Sequence, residues 1–145
     1  MRVSEIMSRD VHIASPQETI RQIAQEMAKR DIGFMPVGDH DRLVGTVTDR
    51  DLVVRAMADG LSGDAKVREV MTTDIKYCFD DEELDDVARN MGSVQVRRLP
   101  VVNREKRLIG VVSLADAARE NPAAAGAGLK GVVKPGGAHS QEPTQ

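Results

Sequence analysis

The sequence is poor in the residue types that most often reveal a chemical function. Among its 145 residues Cys78 is the only cysteine, so the chain cannot form an internal disulfide and has no cysteine pair for a zinc site. Tryptophan is absent, and aromatic residues make up 2% of the chain. Because proteins commonly bind single-stranded nucleic acids by stacking bases on aromatic side chains, this composition argues against such a partner.

The chain also lacks an excess of positive charge and a long apolar segment. Its formal net charge is −3, whereas proteins that bind the phosphate backbone of DNA or RNA usually present a basic surface. No segment approaches the ~18 apolar residues of a membrane-spanning helix, and the N-terminus has no long apolar run. We therefore predict a cytoplasmic protein that binds neither nucleic acid nor a membrane.

The most informative feature that is present is an internal repeat. The same residues recur in the same order in both halves of the chain, with one residue inserted in the second copy. Matching pairs are Val3 and Val67, Met7 and Met71, Ala24 and Ala88, Met27 and Met91, Pro36 and Pro100, Gly45 and Gly110, and Asp51 and Asp116. Two copies are too few for a solenoid, so we predict two half-domains, residues 1–62 and 63–120, that complete one core between them.

Both repeats show the pattern of a mixed α+β fold. In repeat one, residues 11–13 are predicted to form a short strand, and residues 15–18 have the serine, proline and glutamate of a helix start. Two further strands, 32–37 and 43–47, flank a predicted turn, and a second helix follows. Repeat two has the same order, with an acidic helix start at residues 80–83.

Residues 121–145 differ from both repeats in composition. They are rich in alanine, glycine and proline, and we predict that they form a disordered tail. Residues 126–131 match the letters of the dinucleotide-binding fingerprint GxGxxG. That fingerprint requires a preceding strand, a following helix and an acidic residue about 20 positions later. Because the tail has none of these, no binding site is assigned to it.

In each repeat, the last predicted strand ends in a hydroxyl residue that is followed three positions later by an aspartate. These residues are Thr48 and Asp51 in repeat one, and Ser113 and Asp116 in repeat two. One interpretation is a plain helix cap, in which the hydroxyl and carboxylate satisfy free N–H groups of the first turn. The other is a nucleotide site, because helix N-termini attract phosphate and a carboxylate can accept hydrogen bonds from ribose hydroxyls. The motif alone leaves both interpretations open.

The ordered series of motifs, which occurs twice over residues 3–120, strongly resembles the cystathionine β-synthase (CBS) domain. Two such domains in tandem are called a Bateman module. The resemblance rests on the strand-to-helix motifs and on Ile6-Met7, Val70-Met71, Met35-Pro36-Val37 and Leu99-Pro100-Val101. It implies two β-α-β-β-α units packed about a pseudo-twofold axis. It also implies two clefts between the repeats, which in family members bind AMP, ADP, ATP, NAD(H) or S-adenosylmethionine.

The resemblance implies roles for individual residues as well. Asp51 and Asp116 would hold ribose hydroxyls, and Thr48 and Ser113 would contact phosphate. The residues expected to bracket adenine are Val11, Ile13, Pro36, Ile75, Tyr77 and Pro100. Two arginines that occur in only one repeat each, Arg50 and Arg98, are expected to contact phosphate, because a guanidinium offers a fork of donors. The two sites are therefore expected to be unequal.

From these observations we predict a stand-alone, non-catalytic sensor of AMP, ADP, ATP or NAD(H) that requires no cofactor and binds no metal. It is expected to form a homodimer, for which the apolar helix at residues 52–57 is suitable, and to act on itself or on an unidentified effector protein. The alternative is a protein–protein interaction scaffold with degenerate nucleotide clefts. An enzyme acting on nucleotides is disfavoured, because no nucleophile, metal-ligand cluster or P-loop is visible in the sequence.

Overall fold

The computed structural model describes residues 1–135, and these residues form the mixed α+β fold that the sequence predicts. The helices are α1 (Ile20–Arg30), α2 (Asp49–Asp51), α3 (Leu84–Val94), α4 (Leu114–Glu120) and α5 (Pro122–Val132). The strands are β1 (Phe34–Asp39), β2 (Arg42–Thr48), β3 (Cys78–Phe79), β4 (Arg98–Val102) and β5 (Leu108–Ser113). Helix α2 continues directly into a π-helical segment, Leu52–Met57, and short 3-10 turns occur at Val3–Glu5 and Val67–Glu69. None of the helices in this part of the chain combines the length and apolar character needed to cross a bilayer.

The chain forms two compact units, whose limits differ from the predicted limits of the repeats. The repeat-one unit contains Val11–Ile75 and Lys106–Leu108. The repeat-two unit contains Met1–Asp10, Lys76–Glu105 and, of the described residues, 109–135. The first ten residues thus belong with repeat two, and residues 63–75 belong with repeat one. Domain limits of 1–62 and 63–120 describe the sequence repeats but not the compact units.

The repeat-one unit is built on the antiparallel hairpin of β1 and β2. His40 and Asp41 connect the strands, and both have positive φ (51° and 65°), as a two-residue hairpin turn of type I′ requires. The two edges of the hairpin are extended by single bridges, from Ala14 beside β1 and from Thr72 beside β2. The core consists of buried aliphatic side chains from α1, both strands and the turn that begins at Val67, among them Ile20, Ile23, Met27, Met35, Val37, Val47, Val67 and Val70.

The repeat-two unit has a sheet in the order β3, β4, β5, with β3 parallel to β4. Ser8 exchanges two backbone hydrogen bonds with Val111 of β5 (2.8 and 3.0 Å), so the opening segment of the chain extends this sheet. Val3 is fully buried in this unit, beside the side chains that α3, α4 and the strands contribute. Val67, the residue that matches Val3 in the second repeat, is fully buried in the same way in the core of the repeat-one unit.

The start of the first repeat differs in detail from the prediction. Residues 11–13 form no strand, and only Ala14 pairs with β1. Helix α1 begins at Ile20, where Thr19 and Gln22 form a reciprocal capping box (3.1 and 2.8 Å), and not at residues 15–18. The predicted capping residues do form a turn, but the carbonyl of Glu18 accepts a hydrogen bond from the N–H of Val67 and so does not start the helix. The helix starts at Ile20, whose N–H donates to the carbonyl of Ala65.

The prediction of a disordered tail is wrong for the segment that forms α5. This helix begins after Asn121, whose side-chain oxygen accepts a hydrogen bond from the backbone N–H of Ala124 (3.2 Å). It packs against α3 and α4, with Ala124, Ala125 and Gly128 buried. Residues 126–131 therefore lie inside a packed helix and do not form a phosphate-binding loop. Residues 136–145 of the predicted tail lie outside the described part of the chain.

Candidate functional site

The first candidate site lies where β2 ends and α2 begins. The backbone N–H of Asp51 donates to Oγ1 of Thr48 (3.1 Å), and the backbone N–H of Thr48 donates to Oδ2 of Asp51 (2.9 Å). This reciprocal pair is a capping box, so the plain structural interpretation of the motif is correct. It also holds the carboxylate in one orientation, with its side chain 15% exposed. The second oxygen, Oδ1, lies 3.6 Å from Nε of Arg55 and is not engaged by the cap.

The residues expected to bracket adenine in repeat one surround the same hairpin. Pro36 is buried in β1, opposite Thr46 of β2. Val11 is half-buried and Ile13 is exposed, and both precede the bridge that Ala14 forms beside β1. Arg50 is exposed on the first turn of α2. The structure therefore brings the expected residues of repeat one to one unit.

The second candidate site has the same construction at the junction of β5 and α4. The backbone N–H of Asp116 donates to Oγ of Ser113 (3.0 Å), and the N–H of Ser113 donates to Oδ2 of Asp116 (2.9 Å). Here, however, Nη2 of Arg119 donates a short hydrogen bond to Oδ1 of the same carboxylate. Asp116 is 6% exposed and is the one buried charged residue among residues 1–135. Both of its oxygens are therefore occupied by partners within α4 and its cap.

The two arginines that face the carboxylates were not identified from the sequence. Arg55 follows Asp51 by four residues, and Arg119 follows Asp116 by three. Acidic and basic residues at these spacings are neighbours on a helix surface, and this pattern is visible in the sequence. The different contact that each arginine makes depends on its rotamer, which the sequence does not show.

The remaining predicted residues of repeat two lie around β3 and β4. Pro100 is buried in β4, and Arg98 is exposed at its start. Tyr77 is 39% exposed and packs edge-to-face against Phe79, with 5.7 Å between the ring centroids. Ile75, which the family resemblance places beside adenine together with Tyr77, is half-buried in the repeat-one unit instead. The predicted set of repeat two is therefore divided between the units.

Two observations on residues 1–135 concern metal ligands and the single cysteine. Residues 1–135 contain no group of three histidine, cysteine or acidic side chains that could hold a metal ion. Cys78 is buried, and burial together with the nearby carboxylates of Glu82 and Asp80 raises the pKa of its thiol to about 12. A thiol in this environment is protonated at neutral pH and is a poor nucleophile.

The comparisons with known proteins agree with the repeat structure. The family of the CBS domain matches residues 3–57 and 67–122. The CBS domain-containing protein YhcV of Bacillus subtilis is 36% identical over 116 residues, which cover 80% of this chain and 82% of that protein. Hypoxic response protein 1 of Mycobacterium tuberculosis is 39% identical over 120 residues, with coverage of 81% and 83%.

Solved structures share the fold. Hypoxic Response Protein I, solved with two coordinated zinc ions, is similar with a TM-score of 0.76 and 36% identity, over 84% of this chain and all of that one. The CBS domain pair of protein MJ0100, solved with 5′-methylthioadenosine and S-adenosyl-L-methionine, has a TM-score of 0.71 and 29% identity, with coverage of 82% and 94%. CBSX2 in complex with AMP has a TM-score of 0.72 and 25% identity, with coverage of 81% and 93%. The two repeats, their twice-built strand-to-helix motif and these similarities lead to one conclusion: the chain belongs to the CBS domain family and contains two CBS domains.

Proposed function

We propose that this protein is a non-catalytic regulatory module that binds an adenosine-containing ligand, namely AMP, ADP, ATP or NAD(H), and thereby signals energy or redox state. The observation that carries the proposal is the fixed carboxylate of Asp51, which its capping box with Thr48 orients at the start of a helix. A carboxylate held in this way can accept hydrogen bonds from both hydroxyls of a ribose. Relatives solved with AMP and with S-adenosyl-L-methionine support this ligand class.

The proposal assigns the stronger site to repeat one. Oδ1 of Asp51 is 3.6 Å from its nearest arginine nitrogen, which is beyond hydrogen-bonding distance. Oδ1 of Asp116 already accepts a hydrogen bond from Arg119, which a ribose hydroxyl would have to displace. Arg50 adds an exposed guanidinium near the first motif, where repeat two has Ala115. Asp51 therefore has more acceptor capacity to offer a ligand.

Substitution of Asp51 tests the proposal. Asp51→Ala removes the acceptor for ribose hydroxyls, and hydrogen bonds to a charged group contribute roughly 1.5–3 kcal/mol each. We expect the affinity for the best of AMP, ATP and NADH to fall at least about tenfold, or about 1.4 kcal/mol, in titration calorimetry. Loss of the cap should cost the fold only about 1 kcal/mol, which thermal unfolding measures separately.

Two matched variants make the result specific. Asp116→Ala removes the equivalent carboxylate of repeat two and should weaken the tighter binding event less. Asp49→Ala removes an exposed carboxylate two positions before Asp51 and should leave the affinity close to that of the wild type.

The alternative, a protein–protein interaction scaffold, makes a different prediction. A sensor is stabilised against heat by its ligand because the ligand binds the folded state, whereas a scaffold with degenerate sites is not. If none of the three nucleotides shifts the melting temperature of the wild type, the scaffold becomes the better proposal. The effector protein and the cytoplasmic location stay predictions.

A further inference from the structure

The carboxylate of Asp116 has a hydrogen-bond donor on each of its two oxygens. Asp116 is the one buried charged residue among residues 1–135, and burial of an ionised carboxylate is costly unless its oxygens have partners. The backbone N–H of Ser113 donates to Oδ2 (2.9 Å), and Nη2 of Arg119 donates to Oδ1. Oδ1 is the oxygen that the cap leaves for a ligand. Arg119 therefore occupies the acceptor that a ribose hydroxyl would need.

Arg119 itself is only loosely held. Its side chain is 69% exposed, and within the described part of the chain its ion-pair partner is Asp116 alone. An arginine at the surface is well solvated once its ion pair breaks, so such a pair adds little stability. A ligand that brings its own donors to the carboxylate can therefore displace the guanidinium at a small cost.

Repeat one has no arginine at the matching position. Asp116 matches Asp51 at an offset of 65 residues, and the same offset matches Arg119 with Val54. The side chain of Val54 is apolar and cannot donate a hydrogen bond. Arg55, the next residue, has its Nε atom 3.6 Å from Oδ1 of Asp51, which is beyond hydrogen-bonding distance. An occupied carboxylate is therefore a property of repeat two and not of the motif that both repeats share.

We propose that Arg119 is an internal competitor that regulates the repeat-two site, because its guanidinium occupies the carboxylate of Asp116 until the ribose of an adenosine-containing ligand displaces it. This inference rests on the proposed function, since it requires a ribose at that carboxylate. Binding at repeat two then breaks one hydrogen bond of the protein, whereas binding at repeat one does not. The repeat-two site therefore fills at a higher ligand concentration, and the protein responds to two concentration ranges of the same ligand.

Substitution of Arg119 tests the competition, and the expected result is a gain of affinity. Arg119→Ala is made in the Asp51→Ala protein, in which the repeat-one site is weakened, and titration calorimetry measures the affinity for AMP. We expect the double variant to bind AMP about fivefold more tightly than Asp51→Ala, or about 1 kcal/mol. A structural defect would weaken binding, and loss of a positive charge would reduce the attraction for the phosphate. Neither effect can therefore produce the gain.

A matched ligand and a matched variant make the result specific. The 2′,3′-dideoxy analogue of AMP lacks both ribose hydroxyls, so Arg119→Ala should not raise its affinity. Arg89→Ala makes the same chemical change at an exposed arginine of α3 that is not a partner of Asp116, and it should leave the affinity for AMP unchanged. Without ligand, Arg119→Ala should lower the melting temperature slightly, because Oδ1 of Asp116 loses its donor. Lower stability and tighter binding should thus occur in the same variant.

The outcomes separate this inference from the proposed function. If the wild type binds AMP but Arg119→Ala brings no gain, or an equal gain for the dideoxy analogue, Arg119 does not compete with the ribose and the inference alone is overturned. A loss of affinity in Arg119→Ala overturns it as well, since Arg119 is then a contact of the ligand. If neither the wild type nor Arg119→Ala binds AMP, the inference fails, and if ATP and NADH also fail to bind, the proposed function fails with it.

Discussion

At the scale of single residues, Arg104 connects two side chains of the repeat-two unit. Its Nε and Nη2 atoms donate to the two carboxylate oxygens of Asp81 (2.8 and 2.7 Å), and its guanidinium carbon lies 4.0 Å from the centroid of the Phe79 ring. The hydrogen bonds from Arg104 hold the pKa of Asp81 below its usual value of 3.8. Bidentate pairs of this kind fix geometry as well as charge.

The direction of this pKa shift predicts a pH dependence. Because the folded-state pKa of Asp81 is lowered, its contribution to stability is present above the ordinary aspartate range and is lost as the pH falls through the folded-state pKa. Asp81→Asn should therefore lower the melting temperature slightly near neutral pH, and the difference from wild type should disappear in strong acid. The effect is small because the pair is exposed to solvent. A difference between Asp81→Asn and the wild type that stays the same in strong acid would contradict the role of the pair.

The capping residues of the candidate sites could be predicted from the sequence, but their unequal surroundings could be predicted only in part. A hydroxyl followed three positions later by an aspartate, after a strand, indicates a reciprocal cap, and the structure contains both caps. Arg119 binds the carboxylate of Asp116, whereas Arg55 lies further from the carboxylate of Asp51. This difference depends on side-chain conformations, which the sequence does not show. Arg50 and Arg98, which each occur in one repeat only, predict that the two candidate sites are unequal. The different contacts of Arg55 and Arg119 are a second reason for the inequality.

At the scale of elements, α5 shows why composition misled the prediction. Glycine and alanine bury little side-chain area, so a segment rich in both is typical of disorder. The same lack of side chains lets two helix backbones approach closely, and a Cβ on Gly131 would lie 2.6 Å from the backbone oxygen of Gly92. The matching partner, Ala88 followed by Gly92 on α3, lies about forty residues away, so no local pattern identifies the pairing.

Two glycines of α5 give a matched test of this packing. Gly128→Ala places a methyl group against the backbone of Ala88 and should destabilise the protein by roughly 1–3 kcal/mol, as overpacking commonly does. Gly126→Ala meets nothing within 4 Å and should instead stabilise the helix by roughly 0.5–1 kcal/mol, because alanine is the better helix former. Denaturant unfolding of both variants measures the difference.

Two results would contradict the packing of α5 against α3. If the two substitutions change the free energy of unfolding equally, or if truncation after Glu120 leaves it unchanged, α5 is not packed in solution. With α5 in place, truncation should cost several kcal/mol, since it exposes Ala88, Gly92 and other side chains of the core.

At the scale of the whole molecule, the repeats predict that the chain contains two similar parts, but not which segments pack together. The sequence pairs Val3 with Val67 as the first apolar residue of each repeat. In the structure each lies in the core of the unit formed mainly by the other repeat. A periodic pattern identifies the residues that are buried, whereas the choice between two equivalent cores depends on the path of the chain between them. Each unit therefore needs a segment of both repeats to complete its core.

Substitution of this matched pair tests the exchange. Val3→Ala and Val67→Ala each remove two methyl groups from a fully buried site and should cost roughly 1.5–3 kcal/mol, including the cavity. Native-state hydrogen exchange locates the loss, because partial opening exposes the amides of one unit at a time. Val3→Ala should speed exchange in α3 of the repeat-two unit more than in α1, although residue 3 belongs to the first repeat in sequence. Val67→Ala should do the reverse. If Val3→Ala instead loosens α1, the opening segment packs with its own repeat, and the compact units coincide with the sequence repeats after all.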